Sequence, residues 1–219
     1  MPGNKTMDEF RSCLFNVLEA MAKNTKLIMS MSKEIMELLL PVIVKKVESK
    51  SADVRFQSLK AFTDFITQFL CDDKIYNSED NNESTQTINE LILKKLFPHY
   101  GLILSDTDPM PLFGLKLLSV VVERNSAFVV ILNKLKLIEI LFQYFEVNNP
   151  KFNAFTVKII RAVIQSREIE LQEVMQLNIV DKMNGIFENV MANNQEWCTD
   201  HLLEIINEIL HMASEVKKK

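Results

Sequence analysis

Apolar residues recur along this chain at helical spacing (i, i+3, i+4, i+7), and the pattern itself repeats. Shifted by 42 residues, Phe113 to Val122 lies over Phe155 to Ile164, and Leu135 to Glu146 lies over Leu177 to Glu188. In the second pair Leu137/Ile179, Leu141/Met183 and Phe145/Phe187 agree in kind. A helical period of about 40 predicts an armadillo- or HEAT-type solenoid, in which each repeat buries its apolar face only against its neighbours. The expected fold is therefore all-α: a right-handed helical solenoid of about four repeats plus an incomplete N-terminal one.

The partial unit is 7–23. Its helix, 7–22, carries Phe10, Cys13, Leu14, Val17, Leu18 and Met21 on one face, as the last helix of a repeat without its other two. Four units follow, at 24–70, 85–124, 126–166 and 168–214, in a single domain over 1–219. Each has a short first helix, a second helix, a polar turn and a longer third helix. The turns fall at Ser51-Ala52-Asp53, Ser105 to Pro109, Asn148-Asn149-Pro150 and Asn193-Asn194, each placing Asp or Asn to cap the next helix. Trp197 opens the last third helix as a packing residue.

The first and second units are offset by 56 rather than 42. Residues 71–87 (CDDKIYNSEDNNESTQT) break the apolar pattern and read as an inserted, mobile surface loop. Pro41 and Pro98 fall inside second helices and should kink them.

Composition narrows the function classes. Four Gly and six Pro are too few for a sheet-rich fold with many tight turns. A net charge of −4 gives no global positive field for nucleic acid or anionic lipid. The chain has no uncharged apolar run long enough to span a membrane, and residues 1–5 lack the apolar core of a signal peptide. Three distant cysteines fit reduced thiols, so a cytoplasmic protein is expected.

The candidate binding residues form a polar stripe on the third helices. Lys60, Thr63 and Thr67 fall in line at i, i+3, i+7; the aligned positions are Lys116, Ser119 and Glu123, then Lys158, Arg161 and Gln165. A similar stripe, Glu204, Asn207 and His211, follows at an offset of 46. Third helices line the concave groove of armadillo units, so these residues should project there, and the lysines would clamp an extended acidic protein segment. The alternative is that any exposed helix face must be polar. Asp53-Val54-Arg55 reads as repeat-stacking chemistry. Asp106-Thr107-Asp108 lacks the further acids and the Gly of a calcium loop and reads as a cap. His99, His201 and His211 share no ligand spacing with one another or with a cysteine, and the isolated glycines build no phosphate loop. No catalytic, cofactor or metal residues are assigned, and no enzyme activity is expected.

Three stretches carry a family resemblance: Leu38-Leu39-Leu40-Pro41 through Asp53-Val54-Arg55-Phe56, Ser105 through Asn125, and Phe152 through Arg161. In these the chain resembles the C-terminal armadillo/HEAT region of the Unc-51-like kinase and Fused family, above all its divergent pseudokinase branch. The kinase motifs of that family (Gly-rich loop, His-Arg-Asp, Asp-Phe-Gly) are absent from this sequence. The resemblance implies a protein-binding scaffold in cilia assembly or motility and linked signalling, with ciliary or microtubule-associated partners. A rival expectation is an assembly module that docks through its uncapped ends onto a larger ciliary or cytoskeletal complex.

Overall fold

The computed structural model describes residues 3–77, 82–146, 150–192 and 198–217, and every regular element among them is helical. The predicted turns at Asn148-Asn149 and Asn193-Asn194, and Trp197, lie outside the described residues. The chain divides into two compact units, Met1–Leu117 and Leu118–Lys219.

The first unit opens with α1 (Gly3–Ala22), a longer helix than the sequence pattern marked. Then come α2 (Thr25–Ser30), α3 (Ser32–Glu34) and α4 (Leu40–Lys45), and the long α5 (Ala52–Cys71), against which both α1 and α4 pack. After α6 (Glu83–Leu91) and α7 (Tyr100–Ser105) comes α8 (Met110–Arg124), within which the boundary falls. The core of this unit is aromatic: Phe62, Phe65, Phe69, Phe97 and Tyr100 are fully buried.

At both prolines expected to kink a helix, the preceding turn is altered for the same local reason. Proline has no N–H, and its ring crowds the carbonyl four residues back. The turn ahead of each proline widens, so the Leu40 N–H donates to the Ile35 carbonyl and the Phe97 N–H to the Ile92 carbonyl, five residues back. The device precedes Pro41 in one repeat and Pro98 in the next.

Of the predicted loop at 71–87, residues 78–81 lie outside the described residues, and the described parts, 71–77 and 82–87, are built into the fold. Ile75 and Tyr76 are buried, the Tyr76 hydroxyl bonds Asn89 Oδ1 at 3.0 Å, and α6 already begins at Glu83. Two apolar residues inside a polar run were enough to anchor it. Asn82 caps α6 by accepting from the Thr85 N–H at 2.7 Å.

In the second unit, α9 (Ala127–Lys134) and α10 (Ile138–Gln143) precede α11 (Pro150–Gln165). The next repeat holds α12 (Leu171–Gln176), α13 (Ile179–Ala192) and α14 (Thr199–Val216). The α11 helix packs against α14 more extensively than against α10. Lys136 and Asn178, at equivalent repeat positions, both adopt the left-handed conformation that ends a helix (φ 56° and 55°). This shows how a chain with so few glycines turns: non-glycine residues accept the strained φ at helix ends.

A charged pair and an aromatic pair are among the contacts that stack repeats in the first unit. The Arg55 guanidinium donates to Asp106 Oδ2 at 2.6 Å and Oδ1 at 2.8 Å. Phe56 meets Phe113 edge to face, with ring centroids 5.2 Å apart. The Asp53-Val54-Arg55 motif is therefore a stacking motif, through Arg55. One capping assignment is corrected: Ser51, not Asp53, accepts from the Val54 N–H. The Asp106 carboxylate accepts from Arg55 and from the Thr107 N–H.

Candidate protein-binding surfaces

The polar stripe begins in the first unit with Lys60, whose Nζ lies 2.7 Å from Glu19 on α1. Glu19 also pairs with Lys23 at 2.7 Å, and these two hydrogen-bonded lysines hold its carboxyl down to about 2. Asp64, one turn beyond Lys60 on α5, is half-buried. Burial pushes its carboxyl above the usual carboxylate range, while Lys116 and Lys60 pull it back. The Lys116 ammonium stands 5.7 Å from the centroid of the Phe113 ring.

In the second unit the stripe is a connected network. Lys158 bonds Glu123 Oε2 at 3.0 Å, and Arg161 bonds Glu123 Oε1 at 3.1 Å and Glu204 Oε2 at 2.9 Å. The same arginine reaches His201 Nδ1 at 2.8 Å. A guanidinium can only donate, so Nδ1 accepts and the ring proton resides on Nε2. Burial first, then Arg161 and Lys158, lower the His201 pKa and keep the ring neutral. Arg167 makes a parallel set of contacts, with Glu208 at 3.1 Å and His211 at 3.3 Å.

Several stripe residues stand elsewhere than expected. Thr63 and Ser119 are buried and do not project into a groove; the Thr63 hydroxyl donates to the Leu59 carbonyl at 2.7 Å. Thr67 is half-buried. Gln165 and Asn207 are exposed. Of the three lysines, Lys60 and Lys158 are bound to acids of the adjacent repeat, so the stripe first joins neighbouring third helices.

Large apolar side chains stand exposed on several of the described helices. On α1, Phe10 is 64% exposed, Leu14 47% and Val17 55%, on the face predicted to be apolar. Leu38 and Val42 also stand open. A groove of about 330 Å³ runs between α1 and the α4 region, lined among others by Leu14, Leu18, Val42 and Ile43. At the other end of the chain a groove of about 540 Å³ lies between α13 and α14, with Val180, Phe187, Ile206 and Leu210 in its walls.

Residues 2–130 match the family model for the HEAT repeats of the serine/threonine-protein kinase ULK4-like family. This chain belongs to that family. Two curated relatives match over most of its length. Mouse serine/threonine-protein kinase ULK4 is 24% identical over 194 residues, or 88% of this chain and 15% of the relative. Arabidopsis thaliana serine/threonine-protein kinase RUNKEL is 25% identical over 190 residues, 86% of this chain and 14% of the relative. The chain thus spans about one-seventh of each relative's length. No solved structure matches it.

Membership makes the fold a HEAT-type helical repeat solenoid, as the period near 40 predicted. HEAT repeats are a non-catalytic fold that generally mediates protein interactions. Among the described residues, no group of three or more His, Cys, Asp or Glu is placed to hold a metal, and no helix is long and apolar enough to cross a membrane.

Reading the sequence for the stripe named Glu123 and Glu204 but missed Glu19 and Glu208, and weighed His201 only as a metal ligand, although a signal was present: opposite charges recur about one period apart. Glu19 and Lys60 are 41 residues apart, Arg161 and Glu204 43, and Arg167 and Glu208 41. Residues one repeat apart on stacked helices are neighbours in space, so that spacing is to a solenoid what i, i+4 is to a helix.

Proposed function

We propose that this chain is a scaffold that binds other proteins as the HEAT region of an Unc-51-like/Fused-type kinase or pseudokinase. It works in the cytoplasm, at the cilium, axoneme or cytoskeleton, in cilia assembly or motility and the signalling linked to them. The observation that carries the scaffold reading is the outward apolar stripe of α1, where Phe10, Leu14 and Val17 are all exposed. The names of the curated relatives, both serine/threonine-protein kinases, support the family context and leave the ciliary role to experiment.

A second reading keeps the polar stripe as the contact surface. It is favoured by the side chains of Lys60 and Lys158, which remain 29% and 35% exposed despite their ion pairs. An acidic partner would have to compete with Glu19 and Glu123.

Affinity purification from ciliated cells, read by mass spectrometry, tests both. The wild-type chain is compared with Phe10→Glu/Val17→Glu and with Lys60→Glu/Lys116→Glu/Lys158→Glu. Axonemal or cytoskeletal partners lost from the first variant support the scaffold reading through the apolar face; loss from the second alone transfers it to the stripe. A wild-type set no different from the tag control overturns the scaffold reading.

A further inference from the structure

In the second unit α14 meets the preceding repeat chiefly through α11, and a polar knot lies in that contact. The Arg161 guanidinium on α11 donates to Glu123 at 3.1 Å, to Glu204 at 2.9 Å and to His201 Nδ1 at 2.8 Å. His201 stands in the first turn of α14, three residues after Cys198, a free cysteine that is fully buried. The charged groups acting on the imidazole are Arg161 and Lys158 from α11, Glu123 from the end of α8 and Glu204 from α14 itself. Two cations thus face two carboxylates and are already paired with them.

We propose that His201 is an acid-released latch: neutral, it ties the first turns of α14 to α11 through Arg161, and protonated, it frees them while the rest of the second unit stays folded. The neutral ring carries its proton on Nε2, so a second proton must go to Nδ1, the atom that accepts from Arg161. That proton turns the acceptor into a donor and sets an imidazolium against a guanidinium at hydrogen-bond distance. The guanidinium is not free to turn away. Glu123 and Glu204 hold it, and its Nε is buried with no hydrogen bond. Nor do the carboxylates absorb the new charge, because Lys158 and Arg161 already balance them, so the cluster is left with one positive charge in excess. Moving the end of α14 relieves this at lower cost than unfolding the repeat, since helix ends open locally. Burial and the two cations hold the ring below its ordinary 6.5, so opening is favoured as pH falls from 6.5 through the lowered value.

His211, further along α14, lacks this arrangement. Its Nδ1 lies 3.3 Å from Arg167 and 3.2 Å from Glu215, one turn along its own helix, and its side chain is 63% exposed. A proton there is shared with Glu215 inside α14, while Arg167 keeps Glu208 at 3.1 Å. The latch is therefore specific to His201.

Cys198 supplies the readout, because opening the first turns of α14 uncovers it. The test uses the whole chain with Cys13→Ser/Cys71→Ser, which removes the two exposed thiols. Labelling by 4,4′-dithiodipyridine is followed between pH 7.5 and 5, each rate divided by that of glutathione at the same pH. Labelling should be slow at pH 7.5 and rise as pH falls below 6.5, by at least about fivefold at pH 5, with circular dichroism unchanged. In the same background His201→Asn, which offers Arg161 an oxygen acceptor and does not titrate, should label slowly throughout. His201→Lys, which places a fixed positive charge there, should label fast already at pH 7.5, and His211→Asn should keep the pH response. A flat profile in the parent chain overturns the proposal, as does a pH response that survives His201→Asn or vanishes in His211→Asn. It also fails if His201→Asn labels fast at pH 7.5, if His201→Lys labels slowly there, or if helix content is lost in step with labelling, which would make the opening global.

Discussion

The Tyr100 hydroxyl donates to the Gly114 carbonyl across the α7–α8 contact, at 3.0 Å and out of reach of water. Burial raises the phenol far above its ordinary pKa, so it remains a neutral donor at every pH at which the chain folds. Gly114 is there because the helices are that close: a Cβ on it would stand 2.6 Å from Ile103 Cγ2.

Gly114→Ala is therefore expected to destabilise the chain. The better helix propensity of alanine, about 1 kcal/mol, is outweighed by about 1–3 kcal/mol of overpacking against the fully buried Ile103. Gly101 on α7 has nothing within 4 Å of its Cβ position, so Gly101→Ala should stabilise by up to about 1 kcal/mol. Urea denaturation of the two variants checks the opposite signs; equal effects would contradict the close α7–α8 approach.

Tyr100→Phe keeps the ring and removes the donor. It should cost about 1 kcal/mol, well short of the loss expected from Tyr100→Ala, about 3–5 kcal/mol by analogy with other large aromatic truncations. Chemical denaturation separates the two.

The charged network predicts a specific pH dependence. Glu19 is held down to about 2 from its ordinary 4.5, so its pairing with Lys23 and Lys60 contributes fully above about pH 4.5 and is lost as pH falls toward 2. Asp64 has the opposite sign: burial raises its pKa, so ionising it as pH rises through the carboxylate range opposes folding. Glu19→Gln should thus reduce stability at pH 7 and converge on wild type in acid. Asp64→Asn should be neutral or stabilising at pH 7. Denaturation midpoints at several pH values between 3 and 7 decide both.

His201 titrates below its ordinary 6.5, so it favours the fold when neutral, and that contribution is lost as pH falls from 6.5 through the lowered value. Nitrogen-15 NMR of the imidazole should show the Nε2–H tautomer at pH 7. Arg161→Gln should raise the His201 pKa by removing a nearby positive charge; an unchanged titration would refute the contact at Nδ1.

The helical core was readable because its signal is local. The apolar stripe of α1 (Phe10, Leu14, Val17) and the repeated third-helix pattern at Phe113 and Phe155 each show in a few turns of sequence. The insertion was harder: Ile75 and Tyr76 look like strays in a polar run until Asn89 is seen to receive the Tyr76 hydroxyl. Thr63 and Ser119 were misplaced for a related reason. Small hydroxyl residues satisfy themselves within a helix, as Thr63 does on the Leu59 carbonyl, and can then be buried like alanine.

The sequence by itself determined the repeat, its all-helical elements, the proline positions that widen two helices, and the arginine that stacks neighbouring repeats. These follow from periodicity and backbone chemistry acting within one or two turns. Only the tertiary structure decided that Lys60 and Lys158 are held by Glu19 and Glu123, that Arg55 takes Asp106, and that the apolar side of α1 stays open. Exposure and ion pairing depend on what the next repeat places opposite a side chain, and that is fixed by packing across some 35–51 residues of chain rather than by the residue's own surroundings in sequence.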